Sequence, residues 1–186
     1  LRLKELLREH PEIGDERIEA PIVILGLPRT GTTHLHNLLA ELPALRSLPY
    51  WESLEPIPSK AVREGRAPDA RRERCAGALR LQSFVMPLFP AMHEMTVDHV
   101  HEEIHLLGMD FGTMFFENIG VGGSPIYRDH YRGEDQTPHY RYLKRILQAL
   151  SWLRGPKRWI LKSQQHLEQL GPLATVFPGA TVVLTH

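Results

Sequence analysis

Between Gly26 and Thr33 the chain reads Gly-Leu-Pro-Arg-Thr-Gly-Thr-Thr, directly after an apolar run over 22–25. The six residues from Gly26 to Gly31 form the G-x-x-x-x-G frame, in which backbone N–H groups converge on phosphate oxygens at a helix N-terminus. A nucleoside triphosphatase would carry Lys after the second glycine and Ser or Thr next, for Mg²⁺. Here Thr32 and Thr33 stand in those places, and the cation is Arg29, inside the loop. A planar guanidinium can grip an oxyanion through two parallel N–H bonds without a metal. The loop therefore suits an anionic group carried on a nucleotide better than Mg-ATP. A second cation, Lys162, ends the apolar run Trp159-Ile160-Leu161, and Ser163 after it offers a hydroxyl either to an oxyanion or as a helix cap.

A different chemistry is suggested by His101-Glu102-Glu103-Ile104-His105, which matches H-E-x-x-H. On a helix the two histidines would share a face and could bind zinc, with Glu102 as general base. The third histidine of the extended pattern is missing, since Phe111 stands there, and His93 and His99 show that this stretch is simply His-rich. The zinc reading is the weaker one.

These residues need elements to aim them. Leu3, Leu6 and Leu7 put a helix over 1–10. A strand over 21–26 and a helix over 31–41 flank the loop, and a short strand over 44–48 leads to Pro49-Tyr50-Trp51-Glu52. A proline-rich connection from Pro56 to Pro68 precedes helices over 69–86 and 100–116, followed by a loop marked by Gly120, Gly122, Gly123 and Pro125. Thr137 caps a further helix with Pro138 in its first turn, carrying Tyr142, Leu143, Ile146, Leu147 and Leu150 inward until Gly155-Pro156. The last third reads strand 158–162, helix 165–176 and strand 180–185. Short apolar runs separated by helices predict an α/β fold, P-loop-like, with three layers: a central parallel sheet flanked by helices. Ligands of such sheets bind at the carboxyl ends of strands, where Arg29 and Lys162 both fall.

A length of 186 residues with 42% hydrophobic and 24% charged content fits one globular domain. The 22 basic residues cancel the 22 acidic ones, so no global field points to nucleic acid or an anionic membrane. Cys75 has no partner for an internal disulfide and reads as a structural thiol. No apolar run long enough to span a membrane and no leader segment is evident, which suggests a cytoplasmic protein. Trp51 and Trp159 read as packing residues rather than as platforms for a base. Oligomeric state is not legible.

The segment Pro28-Arg29-Thr30-Gly31-Thr32-Thr33 resembles the 5′-phosphosulfate loop of sulfotransferases that use 3′-phosphoadenosine 5′-phosphosulfate (PAPS), and its Arg form is similar to bacterial-type and tyrosylprotein sulfotransferases. The resemblance implies cofactor contacts from Pro28, Arg29, Thr30, Gly31, Thr32, Thr33 and Ser163, with no metal required. It implies catalytic roles for Arg29 and for Lys162, whose strand matches the family's lysine-bearing strand. Glu52, at a distance from the loop like that of the family's glutamate, would take the acceptor's proton, with Glu102 or Glu103 as rivals. The implied reaction moves an SO₃ unit from PAPS to a hydroxyl-bearing acceptor, small or carrier-linked, with 56–155 as a mainly helical acceptor-side insertion. The family follows a strand like 181–186 with an Arg-Asp-Pro turn and a serine that hold the 3′-phosphate. On that comparison the single domain over 1–186 is cut short after His186. The competing reading is a nucleotide-binding or kinase-like P-loop relative.

Overall fold

Ile22–Gly26 (β1) is an unbroken run of apolar residues, and such a run is stable as a strand when both of its faces are covered. The computed structural model, which describes residues 1–92, 95–118 and 124–186, supplies both covers. The other strands are Leu45–Arg46 (β2), Leu48–Pro49 (β3), Val100–His101 (β4), Arg158–Lys162 (β5) and Thr181–Thr185 (β6). The α-helices are Arg2–Glu9 (α1), Thr32–Ala40 (α2), Tyr50–Leu54 (α3), Lys60–Arg63 (α4), Arg71–Val85 (α5), Phe89–Met92 (α6), Ile104–Gly108 (α7), Pro125–Gly133 (α8), Thr137–Arg154 (α9) and Leu170–Val176 (α10).

Four strands form a parallel sheet in the order β2-β5-β1-β6, while β3 and β4 pair antiparallel beside it. Val23 lies opposite Leu161 and Ile24 opposite Lys162. Alternation along the strands therefore sends Val23, Leu25, Trp159 and Leu161 to one face, and Ile24 with Lys162 to the other. The first face packs on Leu143, Ile146, Leu147 and Leu150 of α9 and on Leu173 and Val176 of α10. Their i, i+3, i+4, i+7 spacing makes α9 amphipathic. The second face is covered by α2, which packs on β5 and β1. The expected three-layer α/β arrangement is what forms. On the outer side of α9, Leu6, Ile13, Ile57 and Ala149 make a smaller core that seats α1.

Several local expectations need correction. The helix expected over 100–116 is broken into β4, α7 and a 3₁₀ turn at Met114–Asn118, because Val100–His101 is drawn into pairing with Leu48–Pro49. The strand expected over 44–48 splits, with β2 joining the main sheet and β3 leaving to meet β4. Thr137 is the first residue of α9 rather than its cap, and its N–H donates to Asp135 Oδ1 at 2.9 Å. The segment after Ser163 begins as a 3₁₀ turn, Gln164–Leu167, before α10. Ser124 caps α8, an unexpected helix, by accepting the Tyr127 N–H at 3.4 Å. His93, Gly120, Gly122 and Gly123 lie outside the described residues. Among the described residues no helix is long and apolar enough to cross a membrane.

Leu147 is fully buried between α9 and the sheet. Leu147→Ala should lower the unfolding free energy in urea by about 2–5 kcal/mol. A loss below about 1 kcal/mol would show that this face does not carry the core.

Candidate functional site

The loop from Gly26 to Gly31 is held at both ends by close contacts. A Cβ on Gly26 would come within 2.9 Å of the Thr185 carbonyl oxygen and 2.8 Å of Thr30 Oγ1, so only glycine lets β1 run this close to β6. The Thr30 hydroxyl donates to the Leu27 carbonyl at 2.8 Å, which leaves its oxygen to accept from Thr185 at 2.7 Å. Arg29 (φ 71) and Gly31 (φ 84) are both left-handed, a turn that opens α2 without a side-chain cap. Among the described residues no side chain caps the first N–H groups of α2, as an anion site requires. Strain at a non-glycine residue such as Arg29 is the kind held at working sites. Its guanidinium is exposed and makes no hydrogen bond or ion pair among the described residues. Thr32 is buried at the start of α2, and Thr33 is exposed.

Lys162 sits opposite Ile24 on the next strand, so its side chain lies on the α2 face, close behind the loop. It is buried, and its Nζ is ion-paired with Glu102. Its backbone N–H donates to Glu103 Oε2 at 3.0 Å. Glu103 also accepts from His166 Nε2, and His166 Nδ1 meets the Tyr140 hydroxyl at 2.7 Å. Burial alone would raise the pKa of Glu103. The His166 charge and hydrogen bond, with two backbone N–H donors, outweigh it and hold the carboxyl below the usual carboxylate range. Ser163, next to Lys162, spends its oxygen on the Gln165 N–H at 3.2 Å as the cap of the 3₁₀ turn.

Glu52 is placed elsewhere. It is buried between Arg46 Nη2 at 3.5 Å and Arg154 Nη1 at 3.1 Å. Burial raises its pKa, with Arg154, Arg46 and Arg71 pulling against the shift. Arg46 stacks over the Trp159 ring at 4.5 Å, and Arg71 and Arg154 lie over Trp51 at 4.7 and 5.0 Å. Both tryptophans are thus packed into the fold. Arg46 is in register with Trp159, three residues or roughly 10 Å before Lys162 along β5. The structure gives Lys162 to Glu102 and gives Glu52 to two arginines. The Glu52 carboxylate is closed off between the two arginines, with 1% of its side chain exposed.

The H-E-x-x-H segment is not helical as a unit: His101 ends β4, and His105 lies in α7. No group of three His, Cys, Asp or Glu among the described residues is arranged to hold a metal ion. The histidines instead form an aromatic cluster with Tyr50, the His101 and His105 rings stacking at 4.5 Å. Sequence reasoning missed this cluster because β4 gathers it through pairing with β3.

Residues 21–186 match a family model described as the sulfotransferase family. The chain belongs to that family. Two solved sulfotransferases share its fold over 100% of this chain. STF1 from Mycobacterium tuberculosis H37Rv is 30% identical with a TM-score of 0.77, and 50% of that chain is covered. STF9 from Mycobacterium avium is 31% identical with a TM-score of 0.80, and 47% is covered. This sulfotransferase-family chain therefore spans about half the length of the solved structures it matches. No curated protein matches it.

Two cavities of this sulfotransferase domain lie apart from the loop. One of about 270 Å³ is lined by Leu54, Pro56 and Ile146, and one of about 550 Å³ by Arg17, Ala20 and Lys157. An N–H cradle open to solvent encloses little volume, so its absence from these hollows does not count against the loop.

Three histidines are kept neutral mainly by burial: His36 and His105 fall to about 4, and His101 to about 2. Unfolded histidines titrate near ~6.5, so below that pH the unfolded chain takes up protons first and the fold loses stability. At pH 5 each of the three costs roughly 2 kcal/mol. Glu103, with its depressed pKa, adds a loss in the same direction once the pH falls below about 4.3. Urea unfolding should give a free energy several kcal/mol lower at pH 5 than at pH 7.5. A flat profile would show that these rings are charged in the folded state.

Proposed function

We propose that this chain uses PAPS to sulfate a hydroxyl group on a small or carrier-linked acceptor. The observation that carries the reading is the loop's cradle, with an Arg29 that has no partner among the described residues, set against the half-buried pair that Lys162 of the neighbouring strand makes with Glu102. Pro28 to Thr33 would hold the 5′ phosphosulfate: backbone N–H groups and the Arg29 guanidinium match its oxyanions without a cation from solution. When bound, PAPS supplies the SO₃ unit and a phosphate oxygen as leaving group. Ser163 accepts the Gln165 N–H as a cap, and its O–H remains to donate to an oxygen of the phosphosulfate.

Glu102 is the better base. Its side chain is 27% exposed, whereas that of Glu52 is 1% exposed, and a base must be reachable by the acceptor. It takes the proton as the acceptor oxygen bonds to sulfur. Lys162, released from Glu102 as that carboxylate is protonated, neutralises the charge left on the departing phosphate oxygen. A cytoplasmic setting goes with this reading, since the single cysteine, Cys75, is buried and unpaired.

Calorimetry should show adenosine 3′,5′-bisphosphate binding in the presence of EDTA and losing about tenfold in affinity on Arg29→Ala. Preference for Mg-ATP would overturn the reading. In turnover with PAPS, Lys162→Ala and Glu102→Gln should each lower kcat by about 10²–10³. Glu52→Gln should reduce stability and leave kcat nearly unchanged. The reverse pattern between the two glutamates would return the base to Glu52.

A further inference from the structure

Glu102 and Glu103 grip one lysine at both of its nitrogens. Glu102 pairs with Lys162 Nζ, and Glu103 Oε2 accepts the Lys162 N–H at 3.0 Å. Lys162 is the last residue of β5, and β2 accompanies that strand only at Arg158 and Trp159, so a carboxylate stands where a neighbouring strand would. What fixes that carboxylate is His166. An ionised carboxylate only accepts, so the hydrogen of their contact is on His166 Nε2. With Oε1 held by His166 and Oε2 by Lys162, the Glu103 carboxylate cannot turn without losing a bond. On a neutral His166, Nδ1 then accepts from the buried Tyr140 hydroxyl, 2.7 Å away.

The turn after β5 brings His166 to this place. Its N–H donates to the Ser163 carbonyl at 3.3 Å, and a 3₁₀ turn of three residues carries it round over Ser163, the neighbour of Lys162. Gln165 of the same turn is buried. Its amide donates to the Gly112 carbonyl at 2.7 Å and accepts from the Met114 N–H at 3.0 Å. The turn is thus braced by α9 through Tyr140 and by residues 112–114 through Gln165. A buried carboxylate with its partners is a costly way to add stability, since apolar residues of the same volume often do as well. Its use here points to a demand on geometry. The bond it makes ends on the residue whose ammonium serves the anion loop, where a shift of about 1 Å can cost about 10²-fold in rate.

We propose that His166 is a positioning residue for the anion site: by fixing Glu103 it fixes the end of β5, and with it the aim of the Lys162 ammonium at an oxyanion held by the loop. The proposal rests on the sulfotransfer reading given above. A double-mutant cycle on the full chain, read by calorimetry with adenosine 3′,5′-bisphosphate in EDTA, tests it. His166→Leu and Lys162→Ala should each lower the affinity about tenfold, and the doubly substituted chain should lose no more than either alone. His166→Gln, whose amide can still donate to Glu103, should stay within about threefold of the wild type. Additive losses, about hundredfold in the double variant, would show that His166 supports the fold without acting through Lys162. Equal losses in the Gln and Leu variants would overturn the proposal as well. Tyr140→Phe, a milder change that removes the donor to Nδ1, gives a second cycle should His166→Leu not fold: an affinity loss of about threefold that vanishes in the Lys162→Ala background supports the proposal, and one that persists there contradicts it. In the wild-type chain, ¹⁵N spectra of labelled histidines should show His166 protonated at Nε2, and a bare Nε2 overturns the proposal without recourse to any variant. Failure of the sulfotransfer reading would show separately, as absence of bisphosphate binding to the wild-type chain.

Discussion

A strand that runs past its neighbour must find hydrogen-bond partners elsewhere. β2 accompanies β5 only at Arg158 and Trp159, so the backbone at Lys162 emerges beside an open edge. The carboxylate of Glu103 closes that edge by accepting the Lys162 N–H at 3.0 Å. An ionised side chain is tolerated there because His166 pairs with it and is itself held by the Tyr140 hydroxyl, and removing His166 would leave a buried charge without compensation. From that one anchored carboxylate the site follows. Glu102, one residue earlier, reaches the Lys162 ammonium, and His101, two earlier, enters the aromatic cluster.

The chain carries two buried clusters of carboxylate and cation, and they do different work. Glu52, Arg46 and Arg154, sandwiched with Trp51 and Trp159, tie β2 and α3 to the end of α9. There one buried carboxylate is shared by two guanidiniums, and both arginines are stacked on tryptophan rings. Near the other end of β5, Arg29 has no partner among the described residues and α2 starts without a side-chain cap. Unmatched positive potential at a helix N-terminus is what an anionic ligand would complete. The left-handed backbone at Arg29 and the bare approach of Gly26 to β6 are tolerated for the same end.

The layers of the fold were legible because each rests on a local pattern. Val23 to Leu25 and Trp159 to Leu161 are continuous apolar runs, and Leu143, Ile146, Leu147 and Leu150 keep helical period. The loop was legible because glycine at 26 and 31 has few other uses at that spacing. What stayed hidden depends on pairing between distant residues. Nothing near His101 announces that Val100–His101 pairs with Leu48–Pro49 instead of continuing a helix. Which cation Glu52 and Glu102 each meet was hidden too, since separations of 102 and 60 residues lie beyond any local pattern. The zinc-like spacing misled for the same reason, since it presumed one helix where the chain makes a strand, a turn and a short helix.

The account's central claim is that the α2 N-terminus, Arg29 and the Lys162 ammonium share one anion site served by Glu102. A crystal structure of the chain with adenosine 3′,5′-bisphosphate and sulfate tests it most directly. The account predicts an oxyanion within about 3 Å of both the first N–H groups of α2 and Lys162 Nζ, with the Lys162–Glu102 pair parted. An anion lodged instead against Arg46 and Arg154, or a loop left empty while Lys162 keeps its pairing with Glu102, would contradict it.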